Sequence, residues 1–262
     1  MNISKNIAFL AAIGLSSVSM SGSAYAAAFG IFGNATAQAK AAAIAGGNTA
    51  VVLANLSAAS LAGVNVVWVL NGNNGGTTPL NSSAISAFVN GGGVLAINDR
   101  GINAATSSAL LGASGITFVR GLNSSIDVQN VVNPLISGPG GVITNTTLDG
   151  GSSSNHGYAV LGTLPAGTVS ILNNGTAGHI VDFYYGVGAG HVYYSSIPDD
   201  YYLAGGGNVA AFRTVYTPNL VAELSSLAAP VPEPATWALM LTGFGLAGVA
   251  MRRRRVSTAQ FA

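Results

Sequence analysis

The stretch VNVVWVLNGNNGGTTPLNSSAISAFVNGGGVLAIND, Val64 to Asp99, decides the fold. It opens with one continuous apolar run, VNVVWVLNG (Val64 to Gly72), and closes with another, VLAIND (Val94 to Asp99). Short apolar runs without alternation read as strands buried on both faces. Between them, Asn81 to Asn90 places Ile85, Phe88 and Val89 on one helical stripe, and the glycines at 91 to 93 end it. Strand, helix and buried strand in succession predict a parallel sheet covered by helices.

The pattern extends in both directions. Ala35 to Ala45 is an alanine-rich helix, and TAVVLAN (Thr49 to Asn55) is a strand. NAATSSALLG is a short helix stopped by Gly112, and ITFVR (Ile116 to Arg120) is a strand. Asn48 to Arg120 therefore reads as βαβαβαβ. Beyond it, Gly138 to Gly175 carries short strands and turns. HIVDFYYGVGAGHVYYSSI (His179 to Ile197) is a hairpin of two aromatic runs around a Gly-rich turn. Asn208 to Leu227 is helical, bent or split by Pro218. The expected fold is α/β, a mostly parallel doubly wound sheet with a C-terminal β-hairpin region.

Composition narrows the function. Only 6% of the chain is charged, against roughly 25% in ordinary domains. From Ala27 to Pro230 the basic residues are Lys40, Arg100, Arg120 and Arg213, outnumbered by seven acidic ones. No basic face remains to neutralise phosphates, so nucleic acid is not an expected partner. Cysteine is absent, which excludes disulfides, cysteine-based zinc sites and a thiol nucleophile.

The two ends read as addresses. Lys5 precedes an apolar run from Ile7 to Leu15, and Ala24-Tyr25-Ala26 is a small-x-small cleavage signal. This order makes residues 1–26 a signal peptide, cut after Ala26 or alternatively after Ala28. At the other end, Ala235 to Met251 is 17 residues without a charge. As a helix it would rise about 25 Å, at the short end of a membrane span. Trp237 would anchor it at one interface, and Arg252, Arg253, Arg254 and Arg255 would hold its far end in the cytoplasm. The expected layout is a signal peptide (1–26), an α/β domain (27–228), a linker with Pro232-Glu233-Pro234 (229–234), a transmembrane helix (235–251) and a basic tail (252–262).

This C-terminal segment resembles the PEP-CTERM sorting signal of Gram-negative bacteria. The matching residues are Pro232-Glu233-Pro234, Trp237, Ala238, Met240, Gly243-Phe244-Gly245, Gly248 and the arginine cluster. The resemblance implies processing by an exosortase, a membrane-embedded cysteine protease-transpeptidase. It implies transient anchoring in the inner membrane, then release or attachment at the cell surface, in association with exopolysaccharide and biofilm. The two prolines fit that role, since they keep the backbone before the helix extended.

The middle of the chain resembles the class I glutamine-amidotransferase-like fold. LAGVNVVWVLNG, ISAFVNGGGVLAIND and YYGVGAGHVYYSSIPDDYY carry the likeness. In that fold a cysteine between glycines follows the buried strand. Here the strand ends AINDRG, with no cysteine, no G-x-S-x-G and no His-x-Glu pair.

Chemistry is therefore sparse. Asp99 and Arg100 close a buried strand, where open α/β sheets place ligands, although an Asp there also commonly caps the next helix and pairs with a neighbouring Arg. His156, His179 and His191 fit no metal-binding spacing. Gly186-x-Gly188-x-Gly190 lies between strands and reads as a hairpin turn, not a phosphate loop. Asp199, Asp200 and Tyr201, near Tyr184, Tyr185, Tyr193, Tyr194 and Tyr202, make the best candidate surface for a glycan or a calcium ion, although alternating tyrosines on strands are more often half-buried sheet residues. The sequence supports a non-catalytic, cofactor-free surface or matrix protein with the exosortase as processing partner. The alternatives are a secreted hydrolase and a glycan-binding module acting on polysaccharide.

Overall fold

The structure is a computed structural model that describes residues 26–71, 78–151 and 153–228. The expected signal peptide up to Tyr25, the expected linker, the 235–251 run and the arginine-rich tail lie outside the described residues, as do the sorting and anchor residues named above. Among the described residues, no helix is long and apolar enough to cross a membrane.

The first half alternates strand and helix: β1 (Ala28–Gly33), α1 (Thr36–Ala45), β2 (Thr49–Val52), α2 (Ala58–Leu61), β3 (Val66–Asn71), α3 (Ser83–Asn90), β4 (Val94–Asp99) and α4 (Thr106–Ala109). The second half is mostly strands: β5 (Phe118–Asn123), β6 (Asp127–Val128), β7 (Ser137–Gly138), β8 (Gly141–Val142), β9 (Asn155–Val160), β10 (Val169–Asn173), β11 (His179–Val187) and β12 (Gly190–Ser195). The helices α5 (Asp199–Leu203) and α6 (Thr217–Leu227) close the domain.

Ten strands form one sheet in the order β2-β1-β3-β4-β12-β11-β10-β6, with β9 against β11 and β5 against β9. The pairs from β2 through β1, β3 and β4 to β12 are parallel, and the rest are antiparallel. β7 and β8 form a separate small hairpin.

The central strands are covered on both faces. Val66, Trp68 and Leu70 point into one core with Ala39 and Ala43 of α1 and Leu220, Val221 and Leu224 of α6. Val67 and Val69 point into the other, with Leu61 of α2 and Ile85 and Val89 of α3. This two-sided burial is why the strands read as unbroken apolar runs.

Two details differ from the sequence reading. The strand AFGIFG, β1, was not expected, yet it lies between β2 and β3. Residues 116 to 120 were expected to continue the parallel series. Instead, β5 pairs antiparallel with β9, and β12 takes the place beside β4. The reason is burial: β12 is buried at five of its six positions, whereas β5 is exposed from Arg120 to Leu122. Such a strand suits an edge, because a central slot removes both faces from water. The irregularity expected at Pro218 is present: a π-helical turn, Phe212–Tyr216, runs directly into α6, and the proline sits in the first turn of α6, where a missing N–H costs little.

The two ends of the domain meet at Asn48. Ala27 N–H donates to Asn48 Oδ1 at 2.8 Å, and Ser225 Oγ donates to the same oxygen at 3.2 Å. Asn48 Nδ2 donates to the Gly46 carbonyl at 3.3 Å. Ala27 is buried and Ala26 exposed. Replacing Asn48 by Ala leaves the buried Ala27 N–H without its acceptor. The expected loss is about 1–3 kcal/mol, read as a lower urea midpoint with unchanged slope.

Candidate functional site

The strand order creates a switch point. From β1 the chain moves to β2 on one side, and β3 then returns to the other side of β1. At such a point, open α/β sheets place their ligand crevice, outside the carboxyl ends of the strands. Asn34 N–H donates to the Leu70 carbonyl at 2.6 Å, which pulls the first loop across the end of β3. Gly33, with φ +105°, permits this, since a Cβ there would collide with the Leu70 carbonyl. Ala35 follows with φ +47°, the one non-glycine residue at positive φ among the described residues. An alanine held there stores strain of order 1–2 kcal/mol.

Around this crevice, three loops converge. Asn34 Nδ2 donates to Asp200 Oδ2 at 3.3 Å. Arg100 Nη1 lies 4.0 Å from the same oxygen, and its guanidinium stands 5.2 Å from the Tyr201 ring centre. Tyr201 is 38% exposed, whereas Asp200 is 4% exposed. Asp200 Oδ1 is buried with no hydrogen-bond donor. The Arg100 side chain is about one-third exposed, so its ion pair contributes little stability; its importance is placement.

Of the five residues expected to form a ligand surface, the structure brings Arg100, Asp200 and Tyr201 together. Asp99 and Asp199 are fully buried and point elsewhere. Asp99 accepts from Gly101 N–H at 3.0 Å, from the Thr106 hydroxyl at 3.0 Å and from Tyr194 OH at 3.3 Å. It shapes the loop into α4, and Arg100 pairs across the crevice with Asp200. Asp199 accepts from Thr217 Oγ1 at 3.0 Å and ties α5 to α6.

The tyrosine face expected on the hairpin is not a surface. Tyr185, Tyr193 and Tyr194 are buried within the sheet's cores. The Gly186 to Gly190 segment is a two-residue turn joining β11 to β12, at the opposite edge from the crevice. His179 stacks on Tyr158, with ring centres 3.6 Å apart, and His191 meets Tyr184 edge-on. Among the described residues, no three potential metal ligands group together.

One pair escaped the sequence reading. His156 Nδ1 lies 2.8 Å from the Arg100 carbonyl, and its Nε2 lies 3.1 Å from Ser153 Oγ. The carbonyl can only accept, so Nδ1 carries the proton and Nε2 accepts from the serine. Arg120 Nη1 donates to the same carbonyl at 2.7 Å, and Tyr202 OH donates to the Ser153 carbonyl at 3.1 Å. Burial lowers the His156 pKa, so the ring is neutral at pH 7. The sequence SSSNH gives no sign of this. The pair acquires its orientation only because β9 passes beside the loop after β4.

Two buried carboxyls lie deeper. Asp182, on β11 beside Tyr193 and Tyr216, is pushed well above the usual carboxylate range by burial. The neighbouring Ser195, Tyr216 and Tyr193 hydroxyls pull in the opposite direction, and burial outweighs them. Burial raises Asp199 to about 7, although the Thr217 hydroxyl pulls in the opposite direction.

Comparison with known proteins bears on both parts of the chain. The PEP-CTERM protein-sorting motif matches residues 230–255. That motif marks the chain as an exported protein sorted by an exosortase. Two solved structures, both of cytoplasmic proteins from Salmonella typhimurium, one from strain LT2, share the fold. The first has a TM-score of 0.54 at 11% identity, covering 77% of this chain and 100% of its own. The second has a TM-score of 0.53 at 14% identity, covering 77% and 99%. At these identities the likeness shows the fold alone, and neither confirms the glutamine-amidotransferase-like resemblance. A comparison with curated proteins gives no match.

The raised carboxyls set the pH dependence of stability. Asp199 titrates near 3.8 when unfolded and near 7 when folded, so the folded state retains its proton between those values. The contribution of Asp199 is then greatest below about pH 4 and falls as pH rises to about 7; Asp182 acts in the same direction, and the lowered His156 in the opposite one. Asp199→Asn should flatten this fall, by on the order of a few kcal/mol across the window, in urea unfolding measured from pH 4 to 7. An unchanged slope would show that Asp199 is not the titrating group.

Proposed function

We propose that the chain is a surface or extracellular-matrix protein that uses the switch-point crevice to hold a neutral, hydroxyl-rich ligand, the glycan of an exopolysaccharide. Export and exosortase sorting deliver it there, with the cut leader ending at Ala26 and the motif at Pro232 to Pro234 presented for processing. The observation that carries the ligand class is Asp200. One carboxylate oxygen faces Asn34 and Arg100, and the other is desolvated without a donor. A buried acceptor lacking a donor is costly, and a sugar hydroxyl supplies one. Arg100 supplies complementary donors, and the two opposite charges leave the mouth near neutrality.

The reading is non-catalytic because the elbow after β4 is Asp99-Arg100-Gly101, with the aspartate engaged by Gly101, Thr106 and Tyr194. If the glutamine-amidotransferase-like resemblance holds, this is a scaffold retained without its nucleophile. Protein recovered from the culture should bind its own matrix polysaccharide. Arg100→Ala and Asp200→Asn should each weaken that binding about tenfold, which corresponds to about 1.4 kcal/mol. Equal binding by both variants in equilibrium pull-down would remove the crevice from consideration.

The Ser153–His156 geometry favours a second reading, a secreted esterase. Ser153 Oγ would add to an ester carbonyl while its proton passes to His156 Nε2. The C–O bond then breaks, the leaving alkoxide takes that proton, and water releases the acyl group. A fluorophosphonate probe tests it: labelling of the wild type that is lost in both Ser153→Ala and His156→Ala supports the esterase. An unlabelled protein excludes a reactive serine.

A further inference from the structure

β2, β3, β4 and β12 all begin at one edge of the sheet, opposite the crevice. The turns leading into them are Gly46-Gly47-Asn48, Gly63-Val64-Asn65, Gly91-Gly92-Gly93 and Gly188-Ala189. None of these turns contains a charged residue. They are knitted into one surface: Ala28 N–H bonds Asn65 Oδ1, Val94 N–H bonds the Asn65 carbonyl, and Ala189 N–H bonds the Asn90 carbonyl. The charged loop residues Asp99, Arg100, Asp199 and Asp200 follow strands at the other edge.

Both ends of the domain emerge at this neutral edge. Ala27 is bonded to Asn48 there. The helix α6 starts beside Asp199 and descends until Ser225 reaches the same Asn48. After Leu227, only Ala228 to Val231 separate the helix from Pro232. Four residues, fully extended, reach about 14 Å. An enzyme whose active site closes around residues 232–234 has no room to stand farther off than that.

We propose that this edge is the docking face for the exosortase, which covers the four turns while it engages the motif, and that the crevice meanwhile faces away from the membrane. The proposal rests on the sorting reading. The absence of charge fits it, because a charge covered by a partner without a counter-charge loses its hydration.

The test is pulse-chase conversion of the full-length precursor to the mature protein in its own host. Ala62→Glu, Ala189→Glu and Ala189→Lys place charges on exposed positions of the edge, and Ala104→Glu places one near the crevice. Unfolding temperatures identify any variant that fails to fold. The expected result is conversion slowed at least fivefold by each edge variant, whichever the sign, and normal conversion of Ala104→Glu. A twelve-residue Gly/Ser spacer after Ala228 should restore the edge variants by freeing the enzyme from the domain. Wild-type conversion of the edge variants, with conversion blocked by alanines at 232–234, would overturn the docking face alone. Normal conversion of that alanine variant would overturn the sorting reading itself. Acceleration by Lys with slowing by Glu would assign the edge to anionic lipid headgroups and overturn the proposal.

Discussion

Two-sided burial of β3, β4 and β12 is the constraint from which the rest follows. A strand with apolar layers on both faces leaves no place for an unpaired polar side chain. Two pairs of polar groups that do enter arrive together. Trp68 Nε1 donates to Asn98 Oδ1 at 2.8 Å, and Tyr216 OH donates to Ser195 Oγ at 3.0 Å. Asp182, on the neighbouring strand, avoids the cost of a buried charge by holding its proton. Charged residues are displaced to the strand ends, where the loops after β1, β4 and β12 gather them into one crevice.

This constraint also explains what could be read in advance. Val64 to Asp99 announced itself because burial on both faces prints an unbroken apolar run, and β4 appears with the expected bounds. The hairpin of β11 and β12 was legible from its aromatic runs and Gly-rich turn. Its place in the sheet was not, since residues 116 to 120 had an equal claim by sequence order. Only relative burial along each strand decides between them. β1 was hidden by its position directly after an apparent cleavage site, with two glycines in six residues.

The crevice was half legible. That Arg100 stands at a strand end, and that such ends hold ligands, follows from the order of elements. That Asp200 faces it needed the β4–β12 pairing, which joins distant parts of the chain. Ser153 and His156 carry no motif, and their geometry comes from the Arg100 carbonyl, a backbone group that no side-chain pattern reveals. Asp99 illustrates the opposite error: a residue conspicuous by position serves the loop it begins.

The pairing of β12 with β4 also orders the folding of the chain in time. Val94 meets His191, so β4 stays open along one side until almost the whole domain has been synthesised. Closure over so long a loop is slow, and the unpaired flank of β4 remains extended meanwhile. The last helix then fastens to Asn48, the residue that already holds Ala27. A domain assembled in this order completes itself only when its final segment arrives. That delay leaves the sheet open through most of the chain's synthesis.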